Sequence, residues 1–235
     1  MSELSRSAML RALISRSALA LGAARAVEAG GPGIADLRRD AWGHGLLAVA
    51  QAVVAAGARG VLVDSDAEAG ALRLEGITAS VDVEPDLDPH LLYGLPLPDG
   101  TLPGEPVMRL TGRVLSTKEI AAGAGVSYGY RYRAPRDSRL ALVTGGYAQG
   151  VVRSLGGHAH AGIGDAVFPI VGRIAMDVCV LDIGDAEVPD DAEATYFGGR
   201  GPLAGALATW ASHTGLSIPE LVAVAGQRSD RAWEA

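Results

Sequence analysis

The chain has 235 residues, 49% of them hydrophobic and 20% charged, with a mean hydropathy of +0.22, which suits one large or two small globular domains. A net charge of −7 and an isoelectric point of about 5.2 argue against nucleic acid or an anionic membrane surface as the main partner. Cys179 is the single cysteine, which excludes an intrachain disulfide, and Lys118 is the single lysine among 20 basic residues. Any chemistry that needs a lysine amine has that one candidate. No run reaches the ~18–20 uncharged apolar residues of a membrane span, and the expected compartment is the cytoplasm.

Residues 5–29 are rich in Ser, Arg and Ala, so a targeting presequence is weighed against an amphipathic first helix. Arg6, Arg11, Arg16 and Arg25 break up any apolar block, and the helix is the reading adopted. The pattern then alternates: a strand over 34–38, a helix over 46–56 ended by Gly57, a buried strand over 60–64, a helix over 66–75 and a strand over 77–83. Ser65 and Glu68 have capping-box spacing at the start of the second of these helices. Asp64, Asp66 and Glu68 are accordingly read as helix-start acids. Strands alternating with helices imply βαβ units on a parallel sheet.

Residues 84–106 carry Pro85, Pro89, Pro96, Pro98, Pro103 and Pro106 around one apolar patch, Leu91–Leu95, and read as a connecting segment. From Val107 the period becomes two: Met108, Leu110 and Val114 share one face, and Arg109, Thr111 and Arg113 the other. Further strands are expected at 139–144, 165–171 and 177–183. Helices are expected at 203–214 and 218–225, the latter capped by Ser217 with Pro219 and Glu220 in its first turn. His158-Ala159-His160 would place two imidazoles on one strand face. No third ligand is in view, so the pair is read as part of a strand and turn, and no metal site is assigned.

Three stretches combine glycine with reactive side chains. Asp40-Ala41-Trp42-Gly43-His44-Gly45 lies at a strand-to-helix turn, where free amides and a helix N-terminus favour anions. Gly125-Val126-Ser127-Tyr128-Gly129-Tyr130-Arg131-Tyr132 alternates three tyrosines beside arginines. Pro169-Ile170-Val171-Gly172-Arg173-Ile174-Ala175-Met176-Asp177 is the third. Taken singly, such tyrosines read as half-buried packing residues with a satisfied hydroxyl. Together with Gly146-Tyr147-Ala148-Gln149-Gly150 and Arg153, and in this order, the last two stretches resemble the C-terminal β domain of alanine racemase. Asp40–Gly45 resembles the phosphate-side segment of that family's barrel, usually Lys-Ala-(Asp or Asn)-Ala-Tyr-Gly-His-Gly.

The resemblance implies a (β/α)₈ barrel plus a β domain and a pyridoxal 5′-phosphate cofactor. It also implies interconversion of L- and D-alanine for peptidoglycan, in a head-to-tail homodimer. Racemisation takes a proton from one face of the α-carbon and returns one to the other, so two bases must flank a stabilised carbanion. Tyr128 matches the family's tyrosine base, Met176 a backbone contact to the substrate carboxylate, and Tyr147 a tyrosine of the entry corridor.

The same alignment places Arg38 where the family has its cofactor lysine, with Arg39 no better after a one-residue slip, and Trp42 in place of a tyrosine. A guanidinium does not lose its proton and cannot form the imine. Pro219 stands near the place of a further phosphate-contacting tyrosine. Only ~105 residues precede the β domain, about three βα units, against the roughly 250 of a complete barrel. The expected fold is therefore an α/β remnant of a (β/α)₈ barrel (1–95), a linker (96–106) and a mainly antiparallel β domain (107–235). The functional expectation is a family member that is degenerate and inactive alone, partnered by its own copy or by a full-length racemase. The alternatives are an active alanine racemase and a non-catalytic dimerisation or binding module.

Overall fold

The computed structural model describes residues 9–127, 129 and 131–235. The described residues open with a strand, β1 (Arg11–Ser15), and the helix expected within residues 5–29 follows it as α1 (Arg16–Gly30). Ser15 ends the strand and caps the helix, its hydroxyl accepting from the Ala18 amide at 3.1 Å. Ala12, Leu13 and Ile14 are buried because β1 runs between two neighbours, antiparallel to β5 (Met108–Ile120) and parallel to β13 (Asp230–Glu234). Pairing on both sides overrides the helical composition of this stretch.

Three short parallel strands follow, β2 (Ile34–Asp36), β3 (Gly60–Leu62) and β4 (Ala79–Ser80), in the order β2-β3-β4. They alternate with α2 (Leu46–Ala55) and α3 (Asp66–Leu74), as the pattern required. Val49, Ala50 and Val53 bury one face of α2 at helical spacing. Ser65 caps α3 by accepting from Glu68, while the Glu68 carboxylate accepts from the Asp64 amide. The strand expected over 77–83 shrinks to two residues because it has only one neighbour. On the other edge, the Asp86 and Leu87 amides donate to the Ile34 carbonyl at 3.1 Å, and the Asp86 side chain accepts from the Ile34 amide.

The apolar patch in the proline-rich segment folds as α4 (Pro89–Tyr93), capped by Asp88 and packed on α1. Gly22 permits that approach: a Cβ there would sit 2.0 Å from the Leu92 carbonyl oxygen.

β5 organises the remainder. Its first half pairs with β1 and β12 (Glu193–Phe197) and its second half with β8 (Ser138–Thr144), which in turn pairs with β11 (Val178–Gly184). β9 (His160–Ile163) and β10 (Ala166–Pro169) extend the sheet beyond β12, and β6 (Gly125–Val126) pairs with β7 (Tyr132–Arg133). Two helices close the chain, α5 (Ala206–Thr214) and α6 (Ile218–Gln227). Leu10, Leu37, Tyr93, Leu110, Trp210 and Val222 belong to one continuous apolar cluster, so the parallel sheet and the antiparallel sheet share a core. No helix among the described residues is long and apolar enough to cross a membrane.

Candidate functional site

The parallel strands point their carboxyl ends at a group of charges, the end at which barrel enzymes build their sites. Arg38 follows β2 and turns back onto Asp36, its Nε 2.9 Å from Oδ1 and one terminal nitrogen 2.7 Å from Oδ2. This fork holds the guanidinium protonated still more firmly than usual, with Asp64 and Glu84 adding to the effect. The Arg39 amide donates to the Asp64 carboxylate at the end of β3. Arg38 and Arg39 are exposed.

Between Arg38 and α2 the backbone makes a left-handed turn. Arg39, Asp40, Ala41 and Trp42 have φ of 56°, 55°, 51° and 56°, a conformation that costs non-glycine residues about 1–2 kcal/mol each. Its internal bonds run from the Ala41 amide to the Leu37 carbonyl (2.8 Å) and from Gly43 to Arg39 (3.0 Å). External contacts hold it as well. Asp40 accepts from the Leu46 amide (2.7 Å) and from Arg231 of β13, which also reaches the Gly43 carbonyl at 3.3 Å. Gly43 lies against Gly226 of α6, where a Cβ would come within 2.5 Å of the Gly226 Cα.

Beneath the turn, His44 stacks on Tyr93 with centroids 4.2 Å apart, and the half-buried Trp42 tilts against the same ring at 5.4 Å. Burial lowers the His44 pKa to about 4, so the ring is neutral, with Nδ1 2.9 Å from the Ala41 carbonyl oxygen. His44 Nε2 and the Tyr93 hydroxyl are buried without a hydrogen-bond partner.

On the β-domain side, Tyr128 lies outside the described residues. Its predecessor Ser127 (φ 62°) accepts at Oγ from the Arg173 amide (2.8 Å) and lies 3.2 Å from the Arg173 carbonyl, to which it donates. Tyr147 and Met176 are brought together: the Tyr147 amide donates to Ala175 and the Ala148 amide to Met176, each at 3.0 Å. Both side chains are exposed, Tyr147 by 41% and Met176 by 54%, and the Arg153 guanidinium sits 5.7 Å from the Tyr147 ring centre. Lys118 is exposed on β5, near Ser127 in a shallow cavity lined also by Ser116 and Leu142. Arg38 and Trp42 thus belong to the parallel-sheet side, and Tyr147 and Met176 to loops of the antiparallel sheet. Sequence reasoning passed over Asp36 and took Asp64 for a helix-start acid; the signal in both is an acid at the carboxyl end of a parallel strand.

A three-stranded parallel α/β segment joined to an antiparallel β domain is a truncated (β/α)₈ barrel with an alanine racemase type C-terminal domain. The family described as "Alanine racemase, C-terminal domain" matches residues 107–233, and the chain belongs to the alanine racemase family. Alanine racemase of Chlorobaculum tepidum is 40% identical over 119 residues, 49% of this chain and 31% of that protein. The Mycobacterium tuberculosis enzyme is 45% identical over 111 residues, 46% of this chain and 29% of its own length. The chain therefore spans about a third of the curated relatives it matches. Its fold superposes on alanine racemase from Streptomyces lavendulae with a TM-score of 0.82 at 18% identity, covering 97% of each chain. The Bartonella henselae enzyme, solved with covalently bound pyridoxal phosphate, gives 0.74 at 17% identity, covering 96% of this chain and 99% of that one.

Arg38 and its neighbours, which the sequence resemblance aligns with the family's lysine segment, do not fit that cofactor. An imine needs a neutral primary amine, whereas Arg38 presents a guanidinium engaged by Asp36. A phosphate there would meet the Asp36 and Asp64 carboxylates, which already occupy the Arg38 and Arg39 amides.

Proposed function

We propose that this chain is a degenerate member of the alanine racemase family that does not racemise alanine alone. In this reading its β domain serves a partner, either a second copy or a full-length racemase. The observation that carries the reading is the Arg38–Asp36 fork at the place of the cofactor lysine. The carboxylates around it, the exposed Lys118 and the ending of the parallel sheet at β4 support it. Tyr128, Tyr147 and Met176 would form the half of the site that the β domain offers, clamped through Ser127 and Arg173. We take the domain division as 1–95, 96–106 and 107–235, with β1 assigned to the β-domain sheet.

The test is to incubate the protein with pyridoxal phosphate, reduce with borohydride, and map modified residues by mass spectrometry alongside an alanine turnover assay. We expect no turnover and at most trace labelling of Lys118 or the N-terminal amine. Restoring Arg38→Lys should not rescue activity, because one amine does not recreate the missing barrel walls. Stoichiometric labelling, with turnover abolished by Tyr128→Phe, would establish an active racemase instead.

A further inference from the structure

We propose that the cleft between α5 and the β9–β10 hairpin binds a small carboxylate with a short apolar body, and that the Trp210 indole N–H donates to it. The cleft holds a cavity of about 470 Å³, lined by His160, Val167, Leu203, Gly205, Ala206 and Trp210 among others. Trp210 is only 1% exposed, and its Nε1 is buried with no hydrogen-bond partner. Such a donor has lost its bond to water without gaining another, a cost that an acceptor seated in the cavity relieves. Phe197 meets the indole edge to face, with centroids 5.3 Å apart, so the ring that carries the donor is held in place.

The start of α5 points to the same charge. Its N-cap is Gly205, which has no side chain to cap the helix, and its first turn holds no acid. The Ala206 and Ala208 amides donate to the Leu203 and Gly205 carbonyls at 3.1 Å each, but the positive end of the helix dipole has no counter-charge. His160 of β9 brings an imidazole to the cavity, and no acidic residue lines it among the described residues, so nothing there repels an anion. Val167, Pro202 and Leu203 add an apolar wall that an inorganic anion would leave unused. A carboxylate on an apolar body uses both features. Arg38, Tyr147 and Met176 do not line the cavity, so the site is separate from the one described above.

The experiment follows the indole N–H resonances of the nitrogen-15-labelled full chain during titration with butyrate. The chain has three tryptophans, Trp42, Trp210 and Trp233, and Trp210→Phe identifies the signal of interest. Butyrate should move the Trp210 signal saturably and leave those of Trp42 and Trp233 in place. Butylamine, with the same apolar body and the opposite charge, should not move it. Inorganic phosphate, which lacks the apolar body, should bind about tenfold or more weakly than butyrate. Gly205→Asp puts a carboxylate at the start of α5, where an added Cβ meets no atom within 4 Å. That variant should melt at a higher temperature than the parent, because it caps the helix, yet bind butyrate about tenfold or more weakly. A Trp210 signal unmoved by butyrate would overturn the proposal, as would equal shifts with butylamine or binding unchanged in Gly205→Asp. Phosphate binding as tight as butyrate would overturn the assignment of an apolar carboxylate.

Discussion

Gly43 combines a φ of +81° with backbone contact to Gly226, so it is constrained by conformation and by space together. Gly43→Ala adds a left-handed alanine and forces α6 off the turn. A loss of about 3 kcal/mol is expected, measured by urea denaturation. His44 beside it gives the fold a pH dependence. Its folded pKa is about 4 because burial disfavours the charged ring, while the unfolded chain titrates near the ordinary 6.5. Between these values the unfolded state binds more protons, so stability falls as pH drops from 6.5 towards 4, by up to about 3 kcal/mol. His44→Gln should remove that slope, checked by comparing parent and variant denaturation from pH 7 to pH 4. Arg38 shows how one residue redirects a motif. The surrounding Ala41, Gly43, His44 and Gly45 match the residues of the segment it resembles, but the side chain at its head is tied to Asp36.

At the scale of elements, α6 and β13 hold the left-handed turn from the far end of the chain. Gly226 supports Gly43, Gln227 donates to the Arg39 carbonyl at 3.4 Å, and Arg231 holds Asp40. α6 begins with a reciprocal cap: Ser217 Oγ accepts from the Glu220 amide and Glu220 accepts from the Ser217 amide at 2.7 Å. Ser217→Ala should destabilise the protein by about 1 kcal/mol, read from the thermal midpoint. The helices α2, α3, α5 and α6 were legible because each carries its own periodicity and, in α3 and α6, its own cap. The strands β1, β9, β12 and β13 were not. β13 reads Asp-Arg-Ala-Trp-Glu and has no apolar alternation to announce it, and only β1 gives it a place in the sheet.

On the scale of the whole molecule, the parallel sheet stops at β4, whose two residues pair with β3, and no further strand joins it among the described residues. An unpaired strand edge invites pairing with another chain, and the exposed Tyr147 and Met176 offer a second surface. Sedimentation over a wide concentration range should show self-association, or complex formation when a full-length racemase is added. A stable monomer in both experiments would count against the proposed partnership.

By itself the sequence determined the two-part architecture, the parallel order of β2, β3 and β4, and the family. These rest on local period, on caps and on residue identity, which neighbours in space do not alter. Only the tertiary structure decided that the first strand crosses into the β-domain sheet. It alone set Asp36 on Arg38 and Asp64 on the Arg39 amide, set Arg231 on Asp40, and brought His158 to His213. Each of these depends on contacts between segments far apart in the chain. Their geometry is set by how the two sheets pack around one core, and no local pattern encodes it.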